Sequence, residues 1–204
     1  MAAGEETEHD MELLNAWRSG DEGAGKRLFE RHFDAMYRFF RSKVERGAED
    51  LVQQTFLSCV HNKAQFRADC SFRTYLYRIA RSRLLDGFRK SQRTPEGVNV
   101  DEMSIAEMRT SPSSWLANKE ERRALHQALE RLPLDLHMAI ELFYFEELSA
   151  SEVAEALEVP EGTVRSRLRR GLAKLRSELE RLSEGQHLEQ SLATLEKLMR
   201  ARTT

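Results

Sequence analysis

Two stretches of the chain gather the side chains best able to act on a partner, and both are basic. From Arg67 to Arg93, the residues Arg67, Arg73, Arg78, Arg81, Arg83, Arg89, Lys90 and Arg93 face only Asp69 and Asp86, with Phe66, Phe72, Tyr75, Tyr77 and Phe88 interleaved. From Thr163 to Arg181, Arg165, Arg167, Arg169, Arg170, Lys174, Arg176 and Arg181 face Glu178 and Glu180. The 204-residue chain carries a formal net charge of -2, so the positive charge is segregated rather than general. Two separate basic segments suit two contacts with a polyanion. For either run alone, a solvated helix face is the plainer reading. In the first segment, arginines can neutralise phosphates while aromatic faces stack on splayed bases, at about 1–3 kcal/mol per base. Most of these rings are nevertheless expected to be structural, because some of Tyr75 and Tyr77 must pack beside the core face of Leu76, Ile79 and Ala80.

Catalytic chemistry finds little to work with. There is no Gly-rich phosphate loop, no HExxH and no nucleophile elbow. The histidines (His9, His32, His61, His126, His137, His187) are scattered over different segments. Among His32, Cys59, His61 and Cys70 no spacing puts two metal ligands on one helix face, so no metal, cofactor or small-molecule substrate is expected. Two cysteines do not make a disulfide framework. No apolar run approaches the roughly 20 residues that span a bilayer, and the acidic start MAAGEETEHDME is unlike a secretory signal. A cytoplasmic protein without membrane insertion is the expectation.

The segment LSASEVAEALEVPEGTVRSRLRRGLAKLRSEL carries the most specific pattern. Ser149 or Ser151 can cap a short helix whose Val153, Ala154 and Leu157 face inward. Val159, Pro160 and Gly162 then close a tight connection. Val164, Leu168, Leu172 and Leu175 recur at four, four and three, which predicts the buried side of a second helix. Thr163, Arg165, Ser166, Arg169 and Arg170 are left for the other side. This is a helix-turn-helix by spacing. An arginine there can donate two bonds to guanine O6 and N7, worth about 1–3 kcal/mol of discrimination. A charged three-helix module that binds protein is the alternative.

The elements that would position these residues are all helical. Strand formers are scarce, with Ile79, Ile105 and Ile140 the only isoleucines, and Leu, Ala, Glu and Arg dominate. An acidic N-terminal arm, 1–10, precedes a domain over 11–91. There the apolar positions Leu13, Leu14, Trp17, then Leu28, Phe29, Phe33, Met36, Tyr37, Phe40, then Leu51, Val52, Phe56, Leu57, Val60, then Tyr75 to Leu85 describe a four-helix bundle. Residues 92–118 lose the pattern and gain Pro95, Gly97 and Pro112, the composition of a linker, with one short helical turn around Ser104 to Met108. A second domain covers 119–182, with helices over Glu120 to Arg131, Leu134 to Phe145, Ser151 to Leu157 and from Gly162 onward. A helical C-terminal tail, 183–204, carries Leu188, Leu192, Leu195 and Met199 on one stripe. The expected fold is therefore all-α: two small helical domains, a linker and a tail.

DLVQQTFLSCV from Asp50, FRADCSFRTYLYRIARSRLLDGFRK from Phe66 and LPLDLHMAIELFYFEELSASEVAEALEVPEGTVRSRLRRGLAKLR from Leu132 together resemble the extracytoplasmic-function (ECF, group IV) sigma factors of bacterial RNA polymerase. The likeness runs in order through both domains. It implies a region 2-like first domain and a region 4-like second domain, and a factor that binds core polymerase and directs promoter-specific initiation. Asp50, Gln53, Gln54 and Phe56 would dock on the beta-prime coiled coil, and the second domain on the beta flap. Phe66, Arg67, Asp69, Phe72, Arg78 and Ser82 would capture the melted minus-ten non-template strand. Thr163, Arg165, Ser166, Arg169 and Arg170 would read the minus-thirty-five element as duplex. The linker would thread the polymerase, and an anti-sigma factor would be a partner. Tyr75 stands where the family usually has tryptophan, Ser82 where it often has asparagine and Arg169 where it has an aromatic or another residue, which bears on the promoter sequence chosen. A stand-alone dimeric DNA-binding regulator would use the same helix-turn-helix but leave the first domain's motifs without a role.

Overall fold

The structure, a computed structural model, describes residues 3–63, 70–90, 99–108, 120–182 and Ala193. Among the described residues the regular elements are helices, and an isolated antiparallel bridge joins Ser104 to Pro133. The chain divides into two compact units, Met1–Gly87 with Glu155–Glu158, and Phe88–Ala154 with Val159–Thr204. The expectation of an all-α fold with two helical domains is met.

The first unit is built from α1 (Ala3–Arg18), α2 (Glu22–Arg41), α3 (Ala48–His61) and α4 (Phe72–Lys90). Gly20, at φ 108, makes the turn out of α1. Asp21 then starts α2 by accepting the Ala24 N–H at 3.0 Å, the side-chain cap that an unpaired first-turn donor needs. Gly47, at φ 79, does the same turning work before α3. Trp17, Leu28, Met36, Phe39, Phe40, Val52, Leu76, Tyr77 and Leu84 are buried together, and Phe39 meets Tyr77 edge-on at 5.5 Å. Arg83 ties α4 to α3 by donating to Ser58 Oγ at 3.1 and 2.8 Å.

The acidic arm expected over 1–10 is instead the opening of α1, which begins at Ala3. Its last residue, Asp10, is 4% exposed, accepts from Arg31 Nε at 3.0 Å and lies 2.6 Å from His32 Nε2. A buried carboxylate survives only when paired, and two partners from α2 supply that. Burial pushes the Asp10 carboxyl up, but the hydrogen bonds and charges of His32 and Arg31 outweigh it and hold its pKa below the ordinary 3.8.

In the second unit, α6 (Glu120–Glu130) and α7 (Leu134–Ile140) pack against α9 (Glu161–Leu182), with α8 (Ala150–Leu157) preceding α9. The helix expected over Leu134 to Phe145 is continuous in chain but not in winding, since Glu141–Phe145 is a π-turn with Glu146 N bonded to Glu141 O at 3.0 Å. Within the expected linker, a 3-10 turn (Val100–Glu102) and α5 (Ile105–Met108) are packed rather than free. Val100 and Ile105 are buried, and Leu134 N donates to Met103 O at 2.9 Å. The remainder of the expected linker, 92–98 and 109–118, and the tail stripe of Leu188, Leu192, Leu195 and Met199 lie outside the described residues.

One predicted core position of α9 is corrected. Val164, Leu168 and Leu175 are buried, but Leu172 is half-buried, and Gly171 takes its place on the inner stripe. A Cβ at Gly171 would lie 2.8 Å from Ile140 Cδ1, so the missing side chain lets α9 approach α7. Arg167 points to the same side, 3.1 Å from Asp135 with both side chains largely buried, and is structural rather than part of a free basic face.

Two outcomes are expected. A Cβ at Gly25 would come within 2.6 Å of the Trp17 indole, which is 2% exposed and would have to shift. Gly25→Ala should therefore lower the urea or thermal midpoint, because overpacking costs about 1–3 kcal/mol and helix propensity returns only about 1 kcal/mol. Because the folded pKa of Asp10 is depressed, its contribution to stability is complete above about pH 4 and is lost as pH falls through the lowered value. In urea titrations at stepped pH, Asp10→Asn should be less stable near neutrality and should lose less stability than the parent below pH 4.

Candidate nucleic-acid interface

The helix-turn-helix is locked at three points by its own sequence. Ser149 Oγ accepts the Glu152 N–H at 3.2 Å while Glu152 Oε2 accepts the Ser149 N–H at 2.9 Å, a reciprocal capping box at the start of α8. At its end, Val159 N bonds to Ala154 O at 3.0 Å and Glu158 N to Glu155 O at 3.2 Å, a Schellman closure in which Glu158 adopts φ 54. Pro160 then accepts the N–H groups of Thr163 and Val164 at 2.8 and 3.2 Å, opening α9. The connection from α8 to α9 is thereby closed by backbone bonds, with the Glu152 carboxylate holding the start of α8.

On α9, Arg165, Arg169 and Arg170 are exposed, and Thr163 and Ser166 are half-buried. Ser166 Oγ donates to Thr163 O at 2.9 Å, which turns its hydroxyl back on the helix. Arg165 donates from Nε and Nη2 to a single oxygen of Glu161, at 3.1 and 2.6 Å. The three arginines and the two hydroxyl residues occupy the first three turns, opposite the stripe of Val164, Leu168 and Gly171. Cationic donors grouped there can reach phosphates and base edges once that end of the helix enters a groove.

The first unit offers two surfaces. Asp50, Gln53 and Gln54 are exposed on α3, and Phe56 is half-buried, stacked on Phe29 with centroids 4.6 Å apart. Leu57 and Val60, read from periodicity as core, are 48% and 39% exposed, and Phe33 on α2 is 43% exposed. Val60 and Phe33, together with Trp17, Gly25, Phe29 and Phe56, border an apolar groove of about 400 Å³. This apolar face was missed in sequence. Its signal was available: Val52, Thr55 and Cys59 already form the buried stripe of α3, so Phe56, Leu57 and Val60 are one set of apolar residues too many.

Of the residues expected at the minus-ten strand, Phe66, Arg67 and Asp69 lie outside the described residues. Phe72 is corrected: it is 1% exposed with its ring 5.5 Å from that of His32, so it packs the bundle and has no face for a base. Arg78 is half-buried, its guanidinium 5.3 Å from the Tyr75 ring, and Ser82, one turn on, is exposed. Tyr75 and Tyr77 are core residues, as the pattern around Leu76 predicts.

Comparison with known proteins gives a consistent result. Residues 28–94 match the family described as Sigma-70 region 2, and residues 122–175 match Sigma-70, region 4. The ECF RNA polymerase sigma factor SigM of Mycobacterium tuberculosis is 33% identical over 178 residues, covering 86% of this chain and 87% of that protein. The ECF RNA polymerase sigma-E factor of Escherichia coli K12 is 30% identical over 168 residues, covering 78% and 88%. Among solved structures, CnrH in complex with the cytosolic domain of CnrY superposes with a TM-score of 0.63 at 24% identity, over 86% of this chain and 99% of that one. The sigma factor RpoE of Bartonella quintana, solved with the anti-sigma factor NepR, gives 0.59 at 23% identity, over 76% and 96%. These two likenesses speak for the fold.

No cluster of three or more His, Cys, Asp or Glu side chains able to hold a metal occurs among the described residues. Cys59 is 1% exposed and burial pushes its thiol up to about 12, whereas Cys70 is half-buried. Since the thiolate is the reactive form, a thiol reagent at pH 8 is expected to modify Cys70 alone in the native protein. Mass mapping should show Cys59 labelled only after denaturant is added.

Proposed function

The chain belongs to the ECF sigma factors of bacterial RNA polymerase, and from that premise we propose that its two units divide promoter recognition between duplex and opened DNA. Its general role is promoter-specific transcription initiation, and the relatives it matches are not enzymes. The observation that carries the finer reading is the exposed set Arg165, Arg169 and Arg170 on α9, with Thr163 and Ser166 beside it, on a helix whose entry is fixed by the capping box and the Schellman closure. These residues read the minus-thirty-five element as duplex in the major groove, some through base edges and some through phosphates.

In the first unit, Phe66, Arg67, Asp69, Arg78 and Ser82 hold the non-template strand of the melted minus-ten element. Exposure of Ser82 and partial exposure of Arg78 on one face of α4 support this, and burial removes Phe72 from the set. Melting is then a population shift in which the captured open strand has the better contacts. Asp50, Gln53, Gln54 and Phe56 dock on the beta-prime coiled coil, and the exposed Leu57 and Val60 extend that surface with apolar area. The second unit docks on the beta flap. In this reading 11–91 and 119–182 are the working modules, segment 99–108 rides with the second, and the rest of 92–118 is the tether through the polymerase.

The sigma factor RpoE named above was solved in complex with the anti-sigma factor NepR, and an anti-sigma factor is the partner proposed for this chain. No helix among the described residues is long and apolar enough to cross a membrane. Working with RNA polymerase places the protein in the cytoplasm. The tail, 183–204, has no assigned role.

The test separates the two surfaces. Arg165→Ala and Arg170→Ala should each cut initiation from minus-thirty-five-dependent templates about 5- to 100-fold, the loss of one base-edge or phosphate contact, while core polymerase binding is unchanged. Phe56→Ala should weaken capture by core polymerase and leave the sequence preference of any holoenzyme that forms intact. Equal loss at the same step for both classes would break the division of labour.

A further inference from the structure

We infer that Glu161 is a positioning residue for Arg165, and that it sets the sharpness with which α9 discriminates one base pair rather than the strength of DNA binding. The inference rests on the reading of α9 as the major-groove helix.

The geometry is specific about which edge of the guanidinium is used. Nε and Nη2 of Arg165 both donate to Oε1 of Glu161, at 3.1 and 2.6 Å. These two nitrogens form the side edge of the planar group. The end edge, formed by Nη1 and the second Nη2 proton, takes no part in this contact, and it is a fork that can pair with the O6 and N7 acceptors of guanine. Glu161 lies one turn before Arg165 on the same helix, so the clamp needs no partner from elsewhere.

Stability gives little reason for this contact. The side chains are 74% and 43% exposed, and exposed ion pairs of this kind contribute little to folding. Affinity gives a reason against it, because a carboxylate brought up to the phosphate backbone repels it and partly cancels the arginine charge. What the clamp does supply is order. An unrestrained arginine can reach phosphate or any acceptor in the groove, whereas one clamped on its side edge presents a single fork in a single plane. Glu161 therefore exchanges non-specific affinity for discrimination.

The opposite signs make the proposal testable. Full-length protein is reconstituted with core polymerase and challenged with a promoter library randomised across the upstream duplex element, and bound templates are sequenced. The parent should enrich one guanine strongly, and Arg165→Ala should erase that enrichment. Glu161→Ala should reduce the same enrichment about 5- to 10-fold while total retention of random templates rises, and other positions of the element stay sharp. Glu161→Gln, which keeps an acceptor, should recover part of the preference. In the Arg165→Ala background, Glu161→Ala should have no further effect on that position. A role confined to the favourable charge of Glu161 at the helix start would instead lower midpoint and retention together, at all positions. If Arg165→Ala erases the guanine and Glu161→Ala leaves it sharp, the inference is wrong while the reading of α9 stands. If Arg165→Ala leaves every position sharp, Arg165 is not the reader, and the inference falls with that assignment.

Discussion

The second unit depends on how a single helix divides its arginines. α9 must bury one stripe against α6 and α7 and turn the opposite side outward, and a period of 3.6 residues allows both only if the residues between the stripes are chosen one by one. Arg167 falls on the inner side and is tolerated there because Asp135 lies 3.1 Å away. An unpaired guanidinium in that position would cost several kcal/mol. Gly171 falls on the same side and makes room for Ile140. Close approach at Gly171 and charge pairing at Arg167 together fix the rotation of α9 about its own axis. That rotation decides that Arg165, Arg169 and Arg170 face outward together.

The first unit solves a similar problem with a different chemistry. Its helices are joined by hydrophobic packing around Trp17, Phe39 and Tyr77, but two polar links set their registry: Asp10 to Arg31 and His32 between α1 and α2, and Ser58 to Arg83 between α3 and α4. Ser58 also donates to Gln54 O at 2.7 Å, so its hydroxyl is fully engaged while accepting from Arg83. With α3 pinned from behind by these bonds, its outer side is free to be apolar. Leu57 and Val60 there are exposed and pack little of the bundle, which is why an apolar face on a small helical unit is informative.

Much of this was legible before any coordinates. Periodicity found the four helices of the first unit and those of the second, though not the start of α1 or the π-turn after α7, and the turn chemistry of Ser149, Pro160 and Gly162 located the helix-turn-helix. The failures have physical causes. Leucine at 172 fits a four-residue spacing, yet a glycine next to it is the better fit where two backbones approach, and periodicity counts only side chains that are present. Phe72 reads as a stacking ring because it neighbours Arg67 and Arg73, but type and neighbourhood say nothing about which way a helix start is rotated. Asp10 reads as part of a charged arm because its partners Arg31 and His32 are about twenty residues away. Val100 and Ile105 sit among linker-type residues yet are buried, Val100 in a turn that packs on α7, and no local pattern can foresee a surface that lies more than thirty residues away.

The same division of labour changes how the basic segments should be weighed. Counting charges treats Arg83 and Arg167 as equal to Arg165 and Arg170, yet Arg83 donates to Ser58 and Arg167 sits against Asp135, both committed to holding helices in place. Arg78 lies in between, half-buried over Tyr75 with its charge still able to reach a phosphate. Fewer arginines are therefore available to nucleic acid than the sequence suggests, and those that remain are presented by helices whose rotation the committed ones fix. Each arginine committed to a helix contact is one fewer cation able to displace counterions from a nucleic acid, which lowers the indiscriminate share of any such binding. That balance suits a factor that must remain on the polymerase and let go of DNA that is not a promoter.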